Sequence, residues 1–250
     1  MDYSLTIIVL LFTIAVLAGC IDALAGGGGL ITIPTLLLCG VPPVAAIATN
    51  KLGGVGGSLA ATVHFIRCGE LELHKVKLTI VTSFIGAILG GVLLTWLDSR
   101  FLATVVPVLL IGFALYFLFS PNLGELDAKP WTSSFVYALT LAPLIGFYDG
   151  FFGPGTGAFL AISLVLLRGF NLVKATAYAK LLNFCSNLAA LSYFIIDGSL
   201  IWPIGIAMFI GQVIGGSLGA RWVLRSGRRL IKIAMVLVTT AISSKLMFFS

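Results

Sequence analysis

Apolar runs separated by short polar stretches dominate this chain, and many of them are long enough to cross a membrane. A helix needs about 20 apolar residues to span the hydrocarbon core of a bilayer. Runs of that length predict eight transmembrane helices, near residues 5–25, 44–66, 76–97, 101–119, 132–151, 172–196, 200–220 and 230–249. Two shorter apolar segments, 29–39 and 156–168, lie between them and are either re-entrant or short, broken spans.

A glycine cluster precedes each short segment, Gly26–Gly29 before the first and Gly153–Gly157 before the second. Glycine runs break a helix and expose backbone N–H and C=O groups, which lipid tolerates only where they are buried in protein or line an aqueous cavity. A helix that restarts after the break directs free N–H groups at the gap, which suits an anion. We therefore expect an anion site there, with tight helix packing as the alternative. The expected lining residues are Gly27, Gly28, Gly155 and Thr156.

The distribution of lysine and arginine favours two crossings by the short segments. If both segments turn back, five basic residues lie on one side of the membrane and eight on the other. If both cross, eleven lie on one side, and only Arg100 and Lys245 lie on the other. Cytoplasmic loops carry an excess of lysine and arginine, so the ten-crossing topology is favoured. It places both termini in the periplasm.

The composition excludes most other classes of protein. Hydrophobic residues make up 59% of the chain and charged residues only 10%, whereas soluble proteins carry about 25% charged residues. This composition excludes a soluble protein. It also excludes an intrinsically disordered chain, a nucleic-acid-binding module and a secreted scaffold held together by disulfides. The net charge of +6 is assigned to cytoplasmic loops. The few ionisable groups within the spans do not offer a nucleophile or metal constellation, and no nucleotide-binding motif is present, so we expect neither an enzyme nor a cofactor.

The two halves of the chain resemble each other. Gly19, Asp22 and Gly26 match Gly146, Asp149 and Gly153 at an offset of 127. The offset becomes 129 from the match of Lys51 with Lys180 as far as that of Arg100 with Arg229. Because each half holds five crossings, an odd number, the second half enters the membrane from the opposite face, as in many secondary transporters.

We therefore predict an all-α polytopic membrane protein built from two inverted repeats of about five membrane segments each, with broken helices at the glycine clusters. The first repeat covers residues 1–119 and the second 131–250, with a polar linker at 120–130 between them. Glycines at i, i+4 spacing, Gly86/Gly90 and Gly211/Gly215/Gly219, are expected to be packing seams between helices.

Four ionisable residues fall within the apolar segments: Asp22, Lys51, Asp149 and Lys180. Such groups are costly in a membrane and normally have a function. The two lysines, placed symmetrically, would form an anion-attracting centre. Each aspartate either pairs with a lysine or titrates and couples transport to protons. Uncharged polar residues that would add hydrogen bonds to the bound anion lie close to the lysines. Asn50 directly precedes Lys51, and the others lie at helical spacing from a lysine: Ser58, Asn183 and Asn187.

These motifs, at 22–29, 48–52, 146–155 and 179–183, resemble the TauE/SafE sulfite exporter family, also called the toluene sulfonate uptake permease family. The second glycine cluster departs from a pure glycine run, since it contains Pro154 and Thr156. The resemblance covers nearly the whole chain. It implies a multi-pass transporter in a bacterial inner membrane that carries small sulfur-containing or organic anions.

The predicted function is a secondary transporter of a small anion such as sulfite or a sulfonate. Its partners are this anion and the lipid bilayer, with no nucleic acid, and a homodimer remains open. An anion channel and a membrane factor without transport activity are the alternatives.

Overall fold

Helices account for the regular structure in the part of the chain that is described. A computed structural model describes residues 4–98, 101 and 129–223. A 3-10 turn, Leu73–Val76, precedes the fourth α-helix. The α-helices are α1 Leu5–Ala25, α2 Gly29–Leu38, α3 Pro43–Arg67, α4 Lys77–Trp96, α5 Ser134–Leu139, α6 Leu141–Phe151, α7 Thr156–Arg168, α8 Leu172–Asp197 and α9 Trp202–Val223.

Five helical segments are long and apolar enough to cross a membrane, which makes the chain a multi-pass membrane protein. They are α1, α4 with its 3-10 turn, α5 and α6 taken together, α8 and α9. The α3 helix has 25 residues but is more polar, because it contains Asn50, Lys51 and four glycines. It lies in the interior, where these residues contact other helices instead of lipid. The predicted spans 101–119 and 230–249 lie outside the described residues.

The predicted single span at 132–151 is interrupted at Thr140. The structure has two helices there, α5 and α6, and Thr140 between them has φ −115° and ψ −75°. Pro143 supplies the physical reason, since it has no N–H to donate to Leu139 and its ring crowds the carbonyl group of that residue.

The two short helices form hairpins with the helices before them. The α2 helix has 10 residues and α7 has 13, which correspond to about 15 and 20 Å, less than the ~30 Å hydrocarbon core. In the first hairpin, Leu36 near the end of α2 lies in one apolar cluster with Leu11 of α1. In the second, the N–H of Trp131 donates to the carbonyl of Leu167 at 2.9 Å. Each short helix therefore returns toward the end where its hairpin began.

The two hairpins open in opposite directions. Ala46, near the start of α3, lies in the cluster that holds the open end of the first hairpin. The open end of the second hairpin lies instead beside the loop that follows α3, where Lys75, Arg168 and Lys174 surround one cavity. The ten-crossing topology puts these three residues on one side of the membrane, whereas the eight-crossing topology separates them.

Close contacts recur at positions that the sequence repeat aligns. Gly90 of α4 packs directly against the carbonyl of Phe147 in α6, and Gly219 of α9 packs against that of Cys20 in α1. A side chain at either glycine would overlap the neighbouring backbone. The expected packing role is therefore confirmed for all of these glycines, Gly86, Gly90, Gly211, Gly215 and Gly219. The complete inverted repeat of five segments stays a prediction.

Candidate substrate site

A small polar cavity lies at the centre of the helix assembly, where the two broken helices meet. Its volume is about 20 Å³, where one water needs about 10–15 Å³. Seven of the residues expected at the site line it: Asp22, Asn50, Lys51, Asp149, Gly155, Asn183 and Asn187. The remaining lining residues are Gly26, Gly29, Gly54, Gly153, Gly157 and Gln212.

The helix breaks themselves are made by glycines in the left-handed region. Gly26 has φ +74°, and Gly153 and Gly155 have φ +96° and +81°, a conformation that only glycine adopts without strain. The two breaks touch, because a side chain at Gly26 would overlap Gly157. The N–H groups of Gly29 and Gly157 have no hydrogen-bond partner among the described residues. Both therefore remain available at the cavity wall.

Two buried ion pairs cross between the halves at this point. Lys51 Nζ lies 2.8 Å from Asp149 Oδ1, and Lys180 Nζ lies 2.8 Å from Asp22 Oδ2. Lys51 also donates to the backbone carbonyl of Asp149. Each lysine thus binds the aspartate of the other half. This is the pairing that the sequence left open as one of two roles for the aspartates.

The ion pairs change the expected electrostatics of the site. Two ammonium groups and two carboxylates have formal charges that cancel, so the four residues together form a neutral centre. The lysine–aspartate pairing that the sequence analysis kept as an alternative is thus present, and the anion-attracting role of the two lysines stays a prediction. An anion can gain the full charge of a lysine only if that lysine's carboxylate moves away or takes up a proton.

The two carboxylates have different additional donors. Asp149 Oδ2 accepts hydrogen bonds from the Ser186 hydroxyl and, at 3.4 Å, from Asn183 Nδ2. Asp22 Oδ1 accepts one from the N–H of Gly28 at 3.2 Å. The Asp149 carboxylate is therefore fixed by three side chains, and that of Asp22 by one side chain and one backbone group.

The other residues expected at the site do not line the cavity. Lys180 Nζ lies 2.9 Å from the position that a Cβ atom would take at Gly157, which does line it. Thr156 donates its hydroxyl to the carbonyl of Gly153 at 2.8 Å, and so secures the second break. Gly27 and Gly28 form the turn between α1 and α2. Ser58 donates to the carbonyl of Gly54 in its own helix, so its hydroxyl is used locally and does not reach the cavity.

A larger cavity, of about 170 Å³, lies at the open end of the second hairpin. Lys75, Arg168 and Lys174 give it a basic wall, and Glu72 adds one acidic group. The hydrogen bond from Lys75, at 2.7 Å, holds the pKa of the exposed Glu72 carboxyl below its usual range. Among the described residues, no group of three or more His, Cys, Asp or Glu side chains is placed to hold a metal ion.

Comparison with known proteins assigns this arrangement to a family. The family model described as "Sulfite exporter TauE/SafE" matches residues 11–246. The chain belongs to the TauE/SafE family. The resemblance expected from the glycine, aspartate and lysine motifs is therefore confirmed over nearly the whole chain, and the fold described above is that of a membrane transporter family.

Several relatives align along most of their length. A probable membrane transporter protein of Haemophilus influenzae is 41% identical over 248 residues, which cover 99% of this chain and 97% of the relative. The probable membrane transporter protein YfcA of Escherichia coli K12 is 46% identical over 240 residues, covering 96% and 89%. YunE of Bacillus subtilis, also a probable membrane transporter protein, is 22% identical over 96% of this chain and 97% of its own. No solved structure matches the chain.

Sequence reasoning missed three polar residues of this TauE/SafE site. Ser186 binds Asp149, Thr32 donates its hydroxyl to Asn50 Oδ1, and Gln212 lines the cavity. All three are uncharged, so a search for ionisable residues in apolar segments passes over them. Gln212 does carry a sequence signal, because it is the only glutamine in the chain and lies in the middle of an apolar run.

Proposed function

We propose that this chain is a secondary transporter of small oxyanions, such as sulfite or a sulfonate, in a bacterial inner membrane. The observation that carries the proposal is the pair of crossed, buried lysine–aspartate contacts at two touching helix breaks. Buried charge in a membrane protein is costly and normally functional. Helix breaks at the midpoint of such proteins are typical of substrate sites in secondary transporters.

Anion binding requires the central cavity to widen. At about 20 Å³ it has room for one or two waters, less than a sulfite ion needs. When the cavity widens, an incoming oxyanion takes over one lysine and the free N–H groups of Gly29 and Gly157. Exchange of one anionic partner for another avoids an unpaired buried ammonium group, which would be far more costly than either pair.

The same exchange couples transport to protons. A carboxylate that loses its lysine to the substrate is left buried without a counter-ion, which is costly. Asp22, the ion-pair partner of Lys180, is the proposed residue through which anion binding to Lys180 is coupled to protons. By linkage, each ligand raises the affinity for the other. Asp22→Asn is expected to abolish acidification of the vesicle lumen during sulfite uptake, as measured with a trapped pH dye, and lumen acidification equal to that of the wild type would contradict Asp22 as the coupling group.

The site is tested by uptake of radiolabelled sulfite into proteoliposomes. Wild-type protein is expected to give saturable uptake that is stimulated by sulfite inside the vesicle. The double variant Asp22→Asn/Lys180→Met removes both charges, so that neither is left unpaired, and is expected to lower uptake about 100-fold while unfolding near the wild-type temperature. The matched control is Glu72→Gln/Lys75→Met, which removes an exposed pair. Wild-type uptake by the Asp22/Lys180 variant would overturn the site, and a linear, unsaturable current would indicate a channel.

The orientation has an independent test. The basic residues around the larger cavity favour its placement on the cytoplasmic side, with both termini in the periplasm. Alkaline phosphatase fused after Ser250 is expected to be active in cells, and green fluorescent protein at the same position is expected to be dark. The opposite pair of results would reverse the proposed topology without affecting the substrate site.

A further inference from the structure

Gln212 is a buried amide in the middle of α9. Only 2% of the residue is exposed. Its Nε2 lies 2.7 Å from the position that a Cβ atom would take at Gly53, and its Oε1 lies 3.0 Å from that of Gly57. The α3 helix therefore has glycines where it faces this side chain. A larger residue at either position would push the amide out of its place at the cavity wall.

The amide of Gln212 is unused within the structure. It lines the central cavity together with Asn50, Lys51 and Asn187, yet it makes no hydrogen bond to any of the residues that are described. Asn50 and Asn187, by contrast, each engage a neighbour, Thr32 and the Asn183 carbonyl respectively. Buried polar groups are almost always hydrogen-bonded, and an unpaired one is destabilising. An amide held at the cavity without a partner therefore points to a ligand.

The equivalent position in the first half does not reach the cavity. Ser83 aligns with Gln212 at the repeat offset of 129, and the surroundings correspond, since Gly19 packs on Gln212 and Gly146 packs on Ser83. Ser83 is also buried, and its hydroxyl has no partner among the described residues. Ser83 does not line the cavity, however. The two positions therefore provide a matched pair in which only Gln212 lines the cavity.

We infer that Gln212 donates its amide N–H groups to the bound substrate and selects oxyanions over halides. This inference rests on the proposed function and adds a residue and a selectivity to it. A lysine can neutralise any monovalent anion. An amide at the same cavity adds a hydrogen bond only to an anion that has a second acceptor oxygen, and so binds that anion more tightly. A site built to hydrogen-bond a particular group discriminates strongly against analogues that lack it. Sulfite has such oxygens and chloride presents a single atom.

The test compares Gln212→Met with Ser83→Ala in sulfite-loaded and chloride-loaded proteoliposomes. Gln212→Met is expected to raise KM for sulfite about tenfold or more, the effect of losing one hydrogen bond to a charged group. Gln212→Met is also expected to make chloride a stronger competitor of sulfite uptake. Ser83→Ala is expected to leave both the KM for sulfite and the competition by chloride unchanged. Unchanged KM and chloride competition in Gln212→Met would overturn the inference while sulfite uptake by the wild type stands. Absence of sulfite uptake by the wild type would overturn the proposed function, and this inference with it.

A second measurement tests for a structural role of Gln212. Because the amide has no hydrogen bond to another described residue, its replacement by methionine, which is of similar length, removes no hydrogen bond within that part of the protein. The unfolding temperature of Gln212→Met in detergent is then expected to equal or exceed that of the wild type by a few degrees. A clear decrease in that temperature would show that Gln212 supports the fold, and would overturn its assignment to substrate.

Discussion

The two ion pairs occupy corresponding positions in the halves but have different surroundings. Both side chains of the Lys51–Asp149 pair are 1% exposed, whereas the Asp22 side chain is 12% exposed. Ser186 and Asn183 bind Asp149. The positions that align with them beside Asp22 are Gly57 and Gly54, which have no side chain to donate. The two halves therefore share the ion pair, but among the described residues only Asp149 has additional side-chain hydrogen-bond donors.

This difference separates two roles that a symmetric site would combine. A carboxylate with several fixed donors is held in place, and its lysine is correspondingly hard to release. Asp22, which has one backbone donor and a more exposed side chain, is expected to give up Lys180 at a smaller cost in free energy. We expect the Lys51–Asp149 pair to stabilise the fold and the Lys180–Asp22 pair to open during transport.

The largest expected effect is that of Lys51→Met. The substitution leaves the Asp149 carboxylate buried without its counter-ion, which destabilises proteins by about 3–5 kcal/mol. Lys180→Met is expected to lower the free energy of unfolding less, since Asp22 is partly exposed. Thermal unfolding in detergent measures both. The added change Asp149→Asn should recover part of the loss in Lys51→Met, and equal losses in the two lysine variants would contradict the comparison.

A smaller effect is expected for Ser186→Ala. It removes one hydrogen bond to a carboxylate, and such bonds contribute about 1.5–3 kcal/mol. Ser58→Ala is the matched control, because the Ser58 hydroxyl bonds only to backbone carbonyls in its own helix. The unfolding temperature should fall for Ser186→Ala and stay close to that of the wild type for Ser58→Ala. A reversed order would mean that Asp149 does not depend on Ser186.

Asn183→Ala is expected to lower the free energy of unfolding by less than Ser186→Ala does. Its contact with Asp149 is 3.4 Å long, at the outer limit for a hydrogen bond, and such contacts contribute about 1 kcal/mol or less. The double variant with Ser186→Ala tests whether both act through the same carboxylate. Losses that differ from the sum of the single variants would indicate coupling through Asp149, and strict additivity would argue against it.

The smallest effect is expected at the exposed pair of Glu72 and Lys75. Exposed ion pairs contribute little to stability, so Glu72→Gln should leave the unfolding temperature at pH 7 unchanged. Because the pKa of Glu72 is lowered in the folded protein, any contribution it makes is present above its ordinary pKa and is lost as the pH falls through the folded value. A decrease in unfolding temperature comparable to that of the variants at the buried ion pairs would show that exposure does not determine the order of these effects.

Hydropathy and glycine spacing predicted the elements well because both are local signals. The helices at 5–25 and 156–168 have the expected bounds, and both glycine clusters break the chain as expected. The interruption at Thr140 was not predicted, because the length of an apolar run does not show where a proline kinks the helix.

The ion-pair partners of the buried lysines and aspartates could not be predicted from local sequence signals. Lys51 and Asp149 are 98 residues apart, and Lys180 and Asp22 are 158 apart. Sequence alone could align the two lysines and the two aspartates, but it could not say that each pair would cross between the halves, since that depends on how α3 and α8 pack. Gln212 was missed for a different reason, because uncharged side chains were considered only on the helices that contain the two lysines.

The glycine seams bear on how such a protein moves. They join helices from different halves, α4 with α6 and α9 with α1, through bare backbone contact. Because the backbones are in direct contact, we expect each joined pair of helices to move as one rigid unit. Rocking of one repeat against the other would separate both pairs. A motion that keeps them together carries α1 with α9 and α4 with α6, so each moving body would contain parts of both repeats.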